Sequence, residues 1–81
     1  MTKLDVMRRL RGMTQKALAD ATGISLRTLQ HYEQGARPFD GAKIGTILSV
    51  CIALRCSLED IIEDQEILQQ IKEYKEIYDA Q

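Results

Sequence analysis

A few side chains in this 81-residue chain have the types and spacing for chemistry on another molecule. Between positions 25 and 34 stand Ser25, Leu26, Arg27, Thr28, Gln30 and His31. If Leu29 turns inward on a helix, about 100° per residue carries Arg27 and His31 to the opposite face. An outward arginine presents a planar fork of donors that matches guanine O6 and N7, worth about 1–3 kcal/mol of discrimination. Leu26 offers an apolar surface to a thymine methyl, and Ser25 and Thr28 offer hydroxyls to a base or a phosphate. Gln30 and His31 add an amide and an imidazole. The plainer alternative for each is a solvated surface group. His31 is no catalyst, because no Ser, Cys or Asp is spaced to work with it. Cys51 and Cys56 have no second pair and no nearby histidine, so they read as small buried thiols rather than zinc ligands. With no nucleophile, metal cluster or phosphate-cradling loop, an enzyme is set aside and no cofactor or metal is expected.

The elements that must hold these groups are short. Thr14 places a side-chain oxygen to cap a helix over Gln15–Thr22, with Leu18 and Ala19 facing in. Gly23 tolerates the left-handed backbone that ends it. Ser25 caps a second helix, Leu26–Gln34, with Leu29 and Tyr32 on one face, and Gly35 stops it. Gln15 falls in the first turn of the earlier helix, where free N–H groups suit a phosphate, and Lys16 is its neighbour. Arg37, in the loop Gly35–Phe39, suits phosphate or plain solvent equally. Helix, glycine-containing turn and helix at this length make the helix-turn-helix unit, whose second helix enters the DNA major groove. Ala19 fits, because steeply crossing helices need a small residue where they touch. Any pair of helices in an all-α domain meets the same capping and spacing.

The ordered set Gly12-Met13-Thr14-Gln15, Leu18-Ala19, Gly23-Ile24-Ser25 and Tyr32-Glu33-Gln34-Gly35, with Pro38 close behind, resembles the phage-repressor-like (Cro/C1-type, XRE) helix-turn-helix family from about Leu4 to Ile62. The resemblance implies an all-α, five-helix lambda-repressor-like bundle. It also implies a sequence-specific transcriptional regulator, a repressor, that reads an operator half-site in double-stranded DNA with helix 25–34. In that family a glutamine at the place of Gln15 contacts backbone or braces a base-reading side chain, and the first turn of the reading helix is pushed into the groove. The DNA-binding set so implied is Gln15, Lys16, Ser25, Leu26, Arg27, Thr28, Gln30, His31 and Arg37. Tyr32 takes the family's aromatic core position. The chain departs from the pattern at Leu10 and Ile52, apolar where polar residues are usual, at Ala17, where Glu is common, and at Arg55, where a helix-ending glycine is usual.

Composition bounds the rest. Eighty-one residues at 44% hydrophobic make one small domain with a core. The net charge of −1 argues against a generic nucleic-acid binder, yet residues 1–40 carry seven Lys/Arg against four acids and residues 41–81 four against eight. The basic half contains the helix-turn-helix, so a local positive face is available. With no signal-peptide core and no apolar run near 18 residues, the chain reads as cytoplasmic, away from any membrane.

The remaining elements follow from caps and periods. Thr2 and Asp5 form a capping-box start for a helix from Lys3 to about Arg11, with Leu4 and Met7 inward. Arg8, Arg9 and Arg11 near its end suit either phosphate or solvent. Asp40 reads as the cap of a fourth helix, Gly41–Leu54, with Ile44, Ile47, Leu48, Cys51 and Leu54 in the core; Gly41 and Gly45 weaken it. Ser57-Leu58-Glu59-Asp60 starts a fifth helix that Ile61 and Ile62 pin. Residues 1–64 then form the helix-turn-helix domain and 65–81 an amphipathic helix with Ile67, Leu68, Ile71, Tyr74, Ile77 and Tyr78 on one stripe. Such a helix must bury its stripe, either over Leu10 and Ile52 or against a second copy, and a homodimer is favoured. The competing function is a protein-interaction or antitoxin-like module working through this acidic segment on a protein partner.

Overall fold

The computed structural model describes residues 1–79. It is all-helical: α1 Lys3–Leu10, α2 Gln15–Thr22, α3 Leu26–Gln34, α4 Ile44–Leu54 and α5 Gln65–Asp79, with single 3-10 turns at Phe39–Gly41 and Leu58–Asp60. The first three starts follow from their caps. Thr2 accepts from the Asp5 N–H at 3.2 Å, Thr14 from Ala17 at 3.0 Å and Ser25 from Thr28 at 3.1 Å. Gly23 and Gly35 end α2 and α3 at φ +76°. A Cβ at either would meet nothing within 4 Å, so backbone conformation and not space requires the glycine.

α2 packs against both α3 and α4. Leu4, Leu18, Leu29, Val50, Leu54 and Ile61 are sealed at the centre, and Ala19 is buried where α2 meets its neighbours. One charged cluster lies inside. Arg8 donates to both Glu33 oxygens, at 2.7 and 2.9 Å, to Asp5 at 3.1 Å and to the Met13 carbonyl at 2.8 Å. Arg8 and Glu33 are both buried, so the pair ties α1 to α3. Arg8 is therefore neither a phosphate contact nor a solvated cation. Arg9 pairs with Asp5 at 2.9 Å, and Arg11 donates to the Leu54 and Arg55 carbonyls at 2.7 and 3.2 Å, covering the end of α4. Burial pushes the Asp5 carboxyl up, but Arg9 and Arg8 outweigh it and hold the group below its ordinary value.

Several expectations are corrected. The fourth helix begins at Ile44, not Gly41, with Lys43 at its cap position and no side-chain cap. Phe39 is drawn into the core against Tyr32, and the chain makes a 3-10 turn there before extending through Ala42. Asp40 instead accepts from the Glu63 and Asp64 N–H groups, at 3.2 and 2.8 Å. Ile44 and Leu48 are 65% and 43% exposed, and with Ile52 they form an outward stripe. α4 is apolar nearly all round, so spacing alone did not tell its two faces apart; Ile47, Val50, Cys51 and Leu54 take the inner one. No tight contact accounts for Gly45, where an added Cβ would again meet nothing within 4 Å.

The expected fifth helix over Ser57–Asp64 is only one 3-10 turn, although Asp60 accepts from the Ser57 N–H at 2.9 Å and Ile61 and Ile62 are buried as expected. α5 is a separate helix whose first N–H groups are held by Asp64. Its first half packs Ile67, Leu68 and Ile71 on the core. Lys75 reaches Glu59 at 2.8 Å. Leu10 and Ile52 stay 69% and 78% exposed, so α5 covers neither. Arg55 closes α4 at φ +51°, left-handed without being glycine.

Candidate nucleic-acid interface

α3 turns Leu29, Tyr32 and Glu33 into the core, and that fixes what its other edge presents. Leu26 is 42% exposed, and Arg27 and Ser25 are exposed beside it. Arg27 has no carboxylate partner among the described residues. Its fork of N–H groups is therefore free for an external acceptor. Ser25 donates to the Thr28 hydroxyl at 2.8 Å while accepting from the Thr28 N–H, which sets the first turn of α3.

Gln15 joins this edge to the interior. Its amide donates to Glu33 at 3.1 Å and accepts from the Gln30 amide at 3.5 Å. Arg8, Glu33, Gln15 and Gln30 thus form one chain of contacts from the buried ion pair to the surface of α3. Lys16, on the exposed side of α2, is engaged with Asp20 at 3.0 Å, a surface pair worth at most about 0.5 kcal/mol and easily exchanged. His31 is half-buried further along α3. Its carbonyl accepts from the Arg37 N–H at 3.3 Å.

Between α3 and the start of α4 lies an open cleft of about 530 Å³, lined by Ser25, Thr28, Tyr32, Arg37, Lys43 and Thr46 among others. The structure therefore brings Ser25, Thr28 and Arg37 to one concavity, Arg27 and Leu26 to the adjoining edge, and Gln15 to Gln30. Lys16 and His31 stand apart from the cleft lining. Sequence reasoning missed Lys43 and Thr46, because a helix starting at Gly41 leaves Lys43 inside it rather than at its mouth. The poor helix propensity of Gly41 was the available signal that the start lies later. No group of three or more His, Cys, Asp or Glu side chains able to hold a metal occurs among the described residues. None of the described helices is long and apolar enough to cross a membrane.

A family model described as the Cro/C1-type HTH DNA-binding domain matches residues 3–66. No curated protein and no solved structure matches the chain.

Proposed function

Because the chain belongs to the Cro/C1-type helix-turn-helix DNA-binding family, we propose that it is a transcriptional repressor that reads a two-fold-related operator as a homodimer. In this reading α3 enters the major groove. Arg27 pairs with a guanine, Leu26 packs on a thymine methyl, and Ser25, Thr28 and Gln30 bond base edges or flanking phosphates. Gln15 braces Gln30. Lys16, His31, Arg37 and Lys43 supply cationic or polar contacts to the backbone, which fix register without reading sequence. The observation that carries the reading is the free, exposed Arg27 on the edge of a helix whose opposite face is locked by Glu33 and Leu29. α5 supplies the second copy's contact through Tyr74, Ile77 and Tyr78, which are 63%, 60% and 58% exposed on the same stripe that packs Ile67 and Ile71 inward. Selection from random duplex DNA tests the proposal. A two-fold motif with half-sites about 34 Å apart is expected; recovery of unrelated sequences would sink it.

The exposed end of α5 also favours a second reading, a module that docks on a protein through this segment. Salt separates the two. A complex held by phosphates weakens steeply as salt rises, whereas one held by the Tyr74–Tyr78 stripe does not.

A further inference from the structure

Arg37 is held by a ring that no contact proposed above uses. Its guanidinium carbon lies 5.7 Å from the centroid of the Tyr32 ring, a distance at which a cation is drawn to a π face. The ring has no room to swing. Tyr32 is 6% exposed, and Phe39 meets it edge-on at 5.2 Å with the planes 77° apart. The loop is fixed too, through the bond from the Arg37 N–H to the His31 carbonyl. Ring and cation both line the cleft that Ser25, Thr28 and Lys43 share. Arg37 has no carboxylate partner among the described residues.

We propose that Tyr32 is a positioning residue whose ring face aims the Arg37 guanidinium into this cleft, where the group received is a DNA backbone phosphate. The inference rests on the DNA-reading function above. An arginine on an exposed loop loses rotamer freedom when it captures an anion. Attraction to a ring already locked by Phe39 removes part of that freedom beforehand and leaves N–H groups open to the phosphate. The contact adds affinity and salt dependence without sequence information.

Two measurements test it. In the NMR spectrum of the free protein, the Arg37 δ protons are shifted upfield by the ring. Tyr32→Phe keeps the shift and Tyr32→Leu abolishes it. On a duplex carrying the selected motif, Arg37→Ala weakens binding to all sequences alike and lowers the slope of log K against log salt by about one. Tyr32→Phe binds as the unaltered chain does. Tyr32→Leu weakens binding in the unaltered background and has no further effect beside Arg37→Ala. Equal losses from Tyr32→Leu in both backgrounds, a loss from Tyr32→Phe, or unshifted Arg37 protons overturns the role of Tyr32. Where Tyr32→Leu does not fold, the proton shifts and the Phe variant decide between these outcomes. A chain that retains no duplex at all overturns the DNA reading itself, and the proton shifts still report the ring contact separately.

Discussion

Arg27 and Arg8 are both arginines of the helix-turn-helix half, and burial gives them opposite work. Arg27 is exposed and unpaired, so Arg27→Ala should leave stability within about 0.5 kcal/mol. The same change should relax preference at one base pair by about 1–3 kcal/mol. Binding to a panel of single-base operator variants checks this, and an unchanged preference refutes the assignment. Arg8 is buried with Glu33 and Asp5. Arg8→Ala leaves the buried Glu33 carboxylate with no cation and only the Gln15 amide beside it, while Asp5 keeps Arg9. It should cost about 3–5 kcal/mol in denaturant unfolding, and Arg8→Met with Glu33→Leu should recover most of it. The double replacement also removes the Glu33 oxygen that holds Gln15, so operator affinity should fall even where stability returns. Asp5, held below its ordinary value by Arg9 and Arg8 against the pull of burial, stabilises the fold above its unfolded pKa of about 3.9. That contribution disappears as pH falls below this value through the folded pKa. The melting temperature should drop over that window, and Asp5→Asn should flatten the drop; a variant with the full acid slope would dismiss the role of Asp5.

α4 carries the clearest departure from an ideal element. Its end is a Schellman closure: the Cys56 N–H reaches the Cys51 carbonyl at 3.1 Å and the Arg55 N–H reaches Ile52 at 3.3 Å. The residue in the left-handed position is Arg55 at φ +51°. A residue with a Cβ is disfavoured there by about 1 kcal/mol or more. The Arg55 side chain is exposed, and what Arg11 binds is its carbonyl. Arg55→Gly keeps that carbonyl and should raise stability by about 1 kcal/mol, or roughly 4–8 °C in a domain of this size. A lower melting temperature would mean that the arginine side chain stabilises this turn more than the backbone opposes it.

The molecule as a whole is longer than a bundle of its core needs, with extents of 40 × 22 × 21 Å. α5 is half structural and half unspent. Ile67, Leu68 and Ile71 pack on the core, and further along the same stripe, in the exposed second half, the Tyr74 and Tyr78 rings meet at 4.8 Å. Ending the chain after Asp64 removes the contacts of Ile67, Leu68 and Ile71 with the core and breaks the Lys75–Glu59 pair. Melting temperature should fall, and light scattering should report a lower mass if the exposed half joins two copies. Replacing Tyr74, Ile77 and Tyr78 by Ser separates the effects, because it spares the packed half. That variant should keep its melting temperature at high dilution while losing mass; an unchanged mass removes α5 from the proposed dimer contact.

The two helices and the glycine turn between them were readable from order alone, and the resemblance made them a helix-turn-helix. Thr14, Ser25, Gly23 and Gly35 act on the backbone within a few residues, and Leu18, Leu29 and Tyr32 repeat at the helical period. Leu29 and Tyr32 inward and Arg27 outward on α3 followed from those local rules, whereas His31, expected outward beside Arg27, is half-buried and Glu33 is buried. Other outcomes depended on residues distant in the chain. Arg8 became buried because Glu33, 25 positions later, meets it. Asp40 gave up the role of cap because Glu63 and Asp64 came within its reach. The start of α4 moved to Ile44 because Phe39 found Tyr32, and that shift put Lys43 at the cleft. In α4, apolar on both faces, no period marks the buried side, so packing against α2 made the choice. Local capping and periodicity are encoded within one or two helical turns. Which charge finds its partner, and which apolar face is covered, depends on contacts that exist only after the chain has closed on itself.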